Sequence, residues 1–579
     1  MPGPFFRHAC YQQSMPKILR CSFTTQPLLN HWHLITLSCG ERALDADSQW
    51  RRRYARNNQA QGFSGGVAAR DINGDFRVDI GVVFQGGVDL FVQSNSGEYQ
   101  HLTRVKGANS GALLADINHD GKMDLVAGES LYFPIDQAAT EQKPIYHFYL
   151  GPEWARPEPT DCLLPFIAGG QRNTYSFAMA DVTLNGMLDL VTSNWTDQRV
   201  AREEPRIWFA DAPCRFKPAS KNNGIYGSFS GNDFSFTSTL SDINNNGLPD
   251  LLMASDFETS QYFMNLGQAE FSNQTNPLII DDQNGMGAAV ADFDNDGQFD
   301  WFVTSIRDKE LGQHVVKSLY GHWGGTGNRL YRNVGNGQFE NISGRAGIAD
   351  GGWGWGACAA DFNNDGHLDI YHVNGFLTDD FLYHPAIDGK FSNEPSRLFI
   401  NNGDATFKEK ASEWGIDEPN EGRGVACFDH GRDGDIDFIY TQAYGEARLF
   451  INQLNDSPDT FSNYFGVITQ GLKGNLAAAG AKVYLFPESG DDQVREIRIG
   501  GNFLGQHPPE AHFGLGDAER IEKVLIQWPG KPAVYTEIED VEASQWIVVN
   551  HPERVKAGEP TWFPIPESAK LVSAQDDLE

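Results

Sequence analysis

The sequence predicts an all-β protein, a seven-bladed β-propeller followed by a small β-sandwich-like domain. Seven acidic nine-residue segments recur, and their first aspartates are 45 to 69 residues apart. A run of small and apolar residues precedes each segment, and a short strand-like run follows it. No helical period of useful length appears between Asp71 and Asp437. Strand pairs repeated at this interval are typical of propeller blades.

Composition narrows the class of protein. The 579-residue chain is 40% hydrophobic and 12% aromatic, which is enough apolar material for a buried core. The net charge of −32 argues against nucleic acid as a main partner, because phosphate binding requires clustered Lys and Arg. That charge suits cations or basic surfaces instead. Since no run of about 18 apolar residues occurs, we expect no membrane-spanning helix.

Residues 1–57 precede the repeats and are predicted to be a leader. Lys17 and Arg20 come before the semi-apolar run LLNHWHLITLSCG, an order found in secretory signals. Polar residues such as Asn30 interrupt this run, and LSCG only partly matches a lipoprotein cleavage site. An export signal, with lipid or surface attachment, and a disordered leader therefore both stay open.

Residues 58–457 hold the predicted blades. Small residues before each loop, as in MGAAVA before Asp292, fit an inner strand crowded against the central axis. The run after each loop, such as WFVTS from Trp301, predicts a second strand. Several units continue as LYRNVGNGQF does from Leu330, with a strand, a Gly or Asn turn and another strand.

Each acidic loop has oxygen-bearing side chains at most of positions 1, 3 and 5, usually Gly at position 6, and Asp at position 9. Calcium takes six to eight oxygens at about 2.3–2.6 Å, and Gly permits the sharp turn that brings them together. No Cys or His stands at these positions, which disfavours zinc, copper and iron. We therefore expect several Ca²⁺ ions, up to seven, as structural staples. Metal-free β-turns are the alternative for a single loop.

The expected ligands are side chains at positions 1, 3, 5 and 9 of the loops. In chain order they are Asp71, Asn73, Asp75, Asp79, Asp116, Asn118, Asp120, Asp124, Asp181, Thr183, Asn185, Asp189, Asp242, Asn244, Asn246, Asp250, Asp292, Asp294, Asp296, Asp300, Asp361, Asn363, Asp365, Asp369, Asp429, Asp433 and Asp437. The loop at Asp292 has four carboxylates and is expected to bind best. Weaker binding is expected in the loops that begin at Asp71, with Phe76 in place of the turn Gly, at Asp181, at Asp242, and at Asp429, with Gly431 at position 3.

The C-terminal part, residues 458–552, has strand-like runs that predict a small β domain. Residues 553–579 are predicted to be a loosely ordered tail. The acidic loops with their flanking strands resemble the FG-GAP/VCBS repeats of integrin α-subunit propellers. The motifs GAKVYLF, GGNFLGQ, HFGLG and WPG resemble the ASPIC/UnbV domain that follows such propellers in the cartilage acidic protein family. Gly505 stands where that family usually has Ser. The resemblance implies calcium binding, a secreted or surface location, and adhesion or protein interaction.

Seven cysteines form neither a CxxC pair nor a zinc-site spacing. Cys162 and Cys214 flank one long stretch, so a disulfide in an exported protein and two buried thiols are both open. Cys358 and Cys427 lie in strand-like runs and are interpreted as core packing. His512 in HFGLG is interpreted as a structural histidine rather than a ligand or an acid–base group.

Loops that follow the second strand of each blade are expected on one face, around the axis. A possible ligand face there consists of Trp195, Asp256, Arg307, Asn374 and Gln442. A protein or glycan ligand fits such a mixed polar and aromatic ring, and solvated loop tips are the plainer interpretation. No GxSxG, HExxH, Walker A or GxGxxG motif occurs in the strand–helix context that would support catalysis. We therefore expect a binding or adhesion module; the alternative is a lyase, glycosidase or tailoring enzyme with its active site in the central funnel.

Overall fold

The computed structural model describes most of the chain. The described residues are 21–27, 32–39, 65–84, 86–128, 146–154, 173–196, 206–220, 222–225, 233–308, 316–317, 322–323, 325–376, 390–443 and 446–571. Nearly all regular structure within them is β-strand, with two one-turn helices, α1 (Ser343–Ala346) and α2 (Ala411–Trp414). The all-β prediction is confirmed. Among the described residues no helix has the length and hydropathy of a membrane span.

The strands fall into three groups along the chain. Two come first, β1 (Cys21–Pro27) and β2 (Trp32–Cys39). The repeat region forms β3 (Val67–Arg70), β4 (Asp79–Phe84), β5 (Gly87–Gln93), β6 (Tyr99–Lys106), β7 (Ala112–Ala115), β8 (Asp124–Gly128), β9 (Tyr146–Tyr149), β10 (Asn173–Ala180), β11 (Asp189–Thr196), β12 (Ile207–Ala212), β13 (Arg215–Pro218), β14 (Asp233–Ser241), β15 (Asp250–Ser255), β16 (Gln261–Gly267), β17 (Glu270–Asn273), β18 (Ala288–Ala291), β19 (Asp300–Val303), β20 (Val316–Lys317), β21 (His322–Trp323), β22 (Arg329–Asn333), β23 (Phe339–Asn341), β24 (Gly354–Ala360), β25 (Asp369–Asn374), β26 (Glu394–Pro395), β27 (Arg397–Asn401), β28 (Phe407–Glu409), β29 (Pro419–Asn420), β30 (Gly422–Phe428), β31 (Asp437–Gln442) and β32 (Glu446–Asn452). The C-terminal part forms β33 (Asn463–Gln470), β34 (Lys482–Pro487), β35 (Gln493–Glu496), β36 (Ile499–Gly500), β37 (Gly505–Gln506), β38 (Glu510–Gly516), β39 (Arg520–Trp528), β40 (Val534–Glu542), β41 (Gln545–Asn550) and β42 (Trp562–Pro564).

Seven antiparallel strand pairs carry the acidic loops: β3–β4, β7–β8, β10–β11, β14–β15, β18–β19, β24–β25 and β30–β31. The first strand of each pair contacts the first strand of the next pair, and β30 contacts β3, so these inner strands close a ring. Outer strands extend the pairs to sheets of four in most units, whereas three strands of the second unit are described. The number of complete blades stays a prediction.

The N-terminal strands differ from the leader expected for residues 1–57. Strand β2 pairs antiparallel with β32, with Trp32 opposite Asn452, and β1 pairs with β2. The Trp32 side chain is 1% exposed, and its ring centroid lies 5.3 Å from that of Phe438. The apolar run that resembles a signal sequence is therefore, over these residues, the strand that extends the last sheet.

The C-terminal strands form two four-stranded sheets, in the orders β38-β33-β41-β42 and β35-β34-β39-β40. Phe465, Val483, Phe513 and Ile526 are among the apolar side chains that form one buried cluster of this region. Strand β42 belongs to the first sheet, so this part of the predicted tail is ordered structure. The domain limits at 457 and 552 stay predictions.

One segment of the C-terminal part, Arg498–His507, enters the ring; we name it the central segment. Its hydrogen bonds reach all seven inner strands, through Val67 and Leu114, Phe177 and Ser176, Thr239, Val290, Ala357, Val425 and Cys427. Strand β36 pairs with β10, and β37 pairs parallel with β3. The GGNFLGQ motif therefore links the two parts of the chain at the axis.

Candidate metal centres

The seven loops share one backbone arrangement. The position 1 carboxylate accepts the backbone N–H groups of positions 5 and 6; in the best predicted loop, Asp292 accepts from Asp296 at 3.1 Å and from Gly297 at 2.9 Å. The same two bonds form in the other six loops. Position 6 is left-handed, with φ of 84° at Gly297 and 66° at Phe76. Phe76 thus adopts a conformation that favours glycine, which is the expected strain.

Side chains at positions 3 and 5 also bond within the turn. The Oδ1 atom of position 5 accepts the N–H of position 7 in every loop, as Asp296 does from Gln298 at 2.9 Å. The position 3 amide oxygens of Asn73, Asn118, Asn244 and Asn363 accept the N–H of position 5. These bonds hold the backbone of each loop in the same tight turn.

The position 9 aspartate has a second role that the sequence analysis missed. Its Oδ2 accepts the N–H of position 2, as Asp300 does from Phe293 at 3.2 Å. Its Oδ1 accepts an N–H from the outer part of the same unit, at 2.7–2.9 Å: the donors are Gln93, Gly151, Ala210, Asn265, Asn333, Asn401 and Asn452. The presence of Asp at position 9 in all seven repeats is the signal for this role.

Burial of these carboxylates raises their pKa values. It raises the pKa of Asp124 to about 6, of Asp79 and Asp292 to about 7, and of Asp189 to about 8. The neighbouring carboxylates Asp296 and Asp294 raise the pKa of Asp292 further. Ionised carboxylates this crowded are stabilised by a cation, because opposite charge favours the ionised form.

The Asp292 loop fits a cation best. Asp292, Asp294 and Asp300 each offer an oxygen within 4.8 Å of the others, a convergence that no other His, Cys, Asp or Glu group of the described residues reaches. The Oδ1 atom of Asp294 is buried and has no hydrogen-bond partner among those residues. Arg332 pairs with Asp294 and, at 2.9 Å, with Asp296, but its side chain is 28% exposed. That this loop binds calcium best stays a prediction, which this geometry favours.

Two protein-family models match parts of this chain. The family model described as "FG-GAP-like repeat" matches residues 71–127, 242–303 and 319–372, and the model "ASPIC and UnbV" matches residues 471–556. The chain carries FG-GAP-like repeats and an ASPIC/UnbV domain. The two expected signatures are therefore confirmed.

Relatives and solved structures add the following. Cartilage acidic protein 1 of Mus musculus is 26% identical over 300 residues, and that of Homo sapiens is 26% identical over 299 residues. The match covers 50% of this chain and 41% or 40% of those proteins, so it spans about two fifths of their length. Two solved structures of BBS1N in complex with ARL6DN, soaked with mercury or lead, align with TM-scores of 0.38 and 0.39 at 9% identity. They cover 68% and 67% of this chain and 94% and 92% of theirs, and such scores do not establish a shared fold.

The ASPIC/UnbV domain lies against the loops of the FG-GAP-like repeats. Lys482 donates to Asp242 of one loop, and Trp546 to Asp429 of another. His512 Nε2 bonds the Gly434 carbonyl at 2.9 Å, and burial lowers the pKa of this histidine to about 3. His512 is therefore a neutral histidine at this contact, as the structural interpretation expects.

The predicted ligand-face residues lie at or soon after the C-terminal ends of the second strands of their units, but several are buried. Trp195 Nε1 donates to Asp256 at 3.0 Å, and burial raises the pKa of Asp256 to about 7. Arg307 donates to the Thr326 carbonyl, Asn374 is fully buried, and Gln442 is 7% exposed. Solvated loop tips therefore do not describe Asn374 and Gln442, whose strands extend into the core.

The cysteines correct one expectation. Cys358 and Cys427 are buried, but they form a disulfide between β24 and β30 rather than packing as thiols. Local strand patterns cannot show this pairing, because the two residues are 69 positions apart. Cys214 is also disulfide-bonded. The pairing considered for Cys162 lies outside the described residues.

Proposed function

We propose that this chain is a calcium-stabilised propeller that acts outside the cytoplasm as a protein- or glycan-binding module of the adhesion type. The observation that carries the proposal is the convergence of carboxylate oxygens from Asp292, Asp294 and Asp300, together with a buried Asp294 Oδ1 that has no hydrogen-bond partner among the described residues. The FG-GAP-like repeats and the cartilage acidic protein relatives support the adhesion type. The Cys358–Cys427 disulfide supports an oxidising compartment.

Calcium would act as a structural ion in this proposal. The four aspartates of the Asp292 loop would hold it, and it would offset the repulsion between their buried charges. With a Kd of about 10⁻⁴–10⁻³ M, typical of extracellular sites, about 1 mM calcium stabilises the folded state by roughly 0.4–1.4 kcal/mol per site. Several such sites together contribute an amount comparable to the stability of a domain.

Aromatic side chains fill part of the interior of the ring. Phe503 of the central segment lies with its ring centroid 5.2 Å from that of Trp355 and 5.4 Å from that of Phe236. A funnel site of the enzyme alternative would have to lie beside this packing, in the cavity lined by residues such as Thr239, Arg498 and His507. For the binding module, we place the ligand surface at the strand ends beside the hydrogen bond between Trp195 and Asp256.

Metal analysis of the full chain tests the calcium proposal. After removal of free metal, calcium rather than magnesium is expected to bind and to raise the melting temperature. Asp292→Asn is expected to lose one ion. Asp404→Asn is the matched control, because this exposed aspartate accepts from Thr406 in a turn outside the acidic loops. Equal calcium content in wild type and Asp292→Asn would contradict the assignment.

Binding to a glycan array and to purified matrix proteins, in calcium and in EDTA, tests the module. Asp256→Asn keeps the size of the side chain and is expected to weaken binding at least several-fold, since it removes the carboxyl group that accepts from Trp195 and Asn284. The control is Asp211→Asn, an exposed aspartate that pairs with Arg215. Binding that responds equally to both variants places the ligand elsewhere.

A further inference from the structure

We propose that two of the seven acidic loops are not calcium sites, and that buried side chains hold them instead as docking points for the ASPIC/UnbV domain: the ammonium of Lys482 at one, and the indole of Trp546 beside a buried Arg432 at the other. These are the loops that begin at Asp242 and Asp429, named here the docking loops. The repeat family implies a metal in such loops, but the side chains around these two do not fit one. The inference concerns metal-free loops and stands whether or not the other loops bind calcium.

Lys482 is the cation of the first docking loop. Its ammonium group donates to Asp242 Oδ2 at 2.9 Å, to the Asp242 carbonyl at 3.2 Å, and to Asn245 Oδ1. An ammonium has three donors, and this loop takes all three. The Lys482 side chain is 3% exposed and that of Asp242 is 7% exposed, so water does not screen the pair.

The remaining oxygens of this loop make the hydrogen bonds that the other loops also make, so the lysine is what distinguishes it. Asn244 Oδ1 accepts from the backbone of Asn246, and Asn246 Oδ1 accepts from Leu248. Both oxygens of Asp250 accept backbone N–H groups, from Ile243 and from the next strand. A calcium ion beside Asp242 would therefore have to displace the lysine, and two carboxylates would be left to bind it.

A second residue of the ASPIC/UnbV domain bonds this loop. Glu496 accepts the backbone N–H of Asp242 at 3.1 Å and the hydroxyl of Ser241. Glu496 and Lys482 pair with each other across strands β34 and β35, so both side chains come from one edge of the domain. The domain thus presents an ammonium donor to the Asp242 carboxylate and a carboxylate acceptor to the adjacent backbone N–H, which is the complementarity of a docking site.

Arg432 and Trp546 take the corresponding places at the second docking loop. Asp429 Oδ2 accepts the indole N–H of Trp546 at 2.7 Å. Arg432, at position 4 of the loop, is fully buried and forms two hydrogen bonds to Glu510, at 2.6 and 2.7 Å. Its guanidinium carbon lies 4.6 Å from the centroid of the Trp546 ring. Position 3 is Gly431 and offers no side-chain ligand.

The Asp292 loop shows the contrast. Its cation, Arg332, is 28% exposed and pairs with positions 3 and 5, so it can turn into solvent when a metal binds. Lys482 and Arg432 are enclosed between the two parts of the chain and have no such exit. Burial of the cation therefore separates a docking loop from a metal loop.

Metal stoichiometry of full-length variants gives the first test. Asp242→Asn and Asp429→Asn are expected to bind as many calcium ions as wild type, whereas Asp292→Asn binds one fewer. Loss of an ion from either docking-loop variant would overturn the inference for that loop. A wild type that binds no calcium would defeat the proposed function and leave the docking loops to the second test.

Thermal unfolding in EDTA gives that second test, free of any metal. Lys482→Met leaves Asp242 buried without its partner, and the melting temperature is expected to fall by about 5 °C or more. Lys556→Met, an exposed lysine of the same domain, is the control and is expected to change it by less than about 1 °C. The double variant Asp242→Asn/Lys482→Met removes both charges and is expected to melt above Lys482→Met. The docking role would be overturned if Lys482→Met melted at the same temperature as the control. It would also be overturned if the double variant lost as much stability as the two single variants together. If Lys482→Met does not fold, folding of the double variant supports the role and its failure to fold overturns it.

Discussion

Asn502→Ala tests the central segment most directly. Asn502 is 2% exposed and bridges two inner strands, since its Oδ1 accepts the Ala357 N–H at 3.1 Å and its Nδ2 donates to the Val425 carbonyl at 2.9 Å. Alanine removes both bonds and leaves one buried donor and one buried acceptor without partners. Each unsatisfied buried group costs about 1–3 kcal/mol, so the free energy of unfolding should fall by about 2–6 kcal/mol.

Urea unfolding of the full chain, followed by tryptophan fluorescence, measures this loss as a lower midpoint. The matched control is Asn402→Ala. Asn402 also makes two hydrogen bonds, to the carbonyl and hydroxyl of Thr406, but both are exposed and water replaces them. We expect this control to change stability by less than about 0.5 kcal/mol. If Asn502→Ala and Asn402→Ala had the same midpoint, the bridging role of the central segment would be refuted.

Three further predictions concern other parts of the chain. Trp32→Ala should cost about 3–5 kcal/mol in urea unfolding, because Trp32 is buried against Phe438; unchanged stability would show that residues 32–39 do not pack on the last sheet. Cys358→Ser should cost about 2–4 kcal/mol and make the melting temperature less sensitive to reductant than that of wild type, since the bond to Cys427 closes a long loop; a wild type unaffected by reductant contradicts the pairing. In EDTA the melting temperature should fall as pH rises from about 5 to about 8. Burial raises the pKa of carboxyls such as Asp189, in this case to about 8, whereas an aspartate of the unfolded chain has a pKa of about 3.9. Over this pH range the folded state therefore holds protons that the unfolded chain has lost, and raising the pH destabilises it. Calcium should largely remove this slope, and a flat profile in EDTA would contradict the raised pKa values.

Local patterns in the sequence determined the strands and the loops. The nine-residue loop closes on itself, so the aspartates that bond its backbone lie in one short segment and repeat visibly seven times. The same locality explains why the Asp292 loop could be ranked first from its four carboxylates. The role of Asp at position 9 is partly local as well, because its Oδ2 bonds position 2, although its Oδ1 bonds a strand farther along the chain.

Tertiary structure alone decided which distant segments meet. Lys482 looks like any lysine at the start of a strand until folding places it on Asp242, 240 residues earlier. Gln506 bonds the backbone of Leu114 across 392 residues, and strand β2 pairs with β32 at the other end of the ring. Such contacts depend on how the sheets close around the axis and leave no period in the sequence, so hydrophobic patterning and loop spacing cannot reveal them. The acidic loops could be recognised in the sequence, whereas the side chains that balance their charge could be identified only in the folded chain.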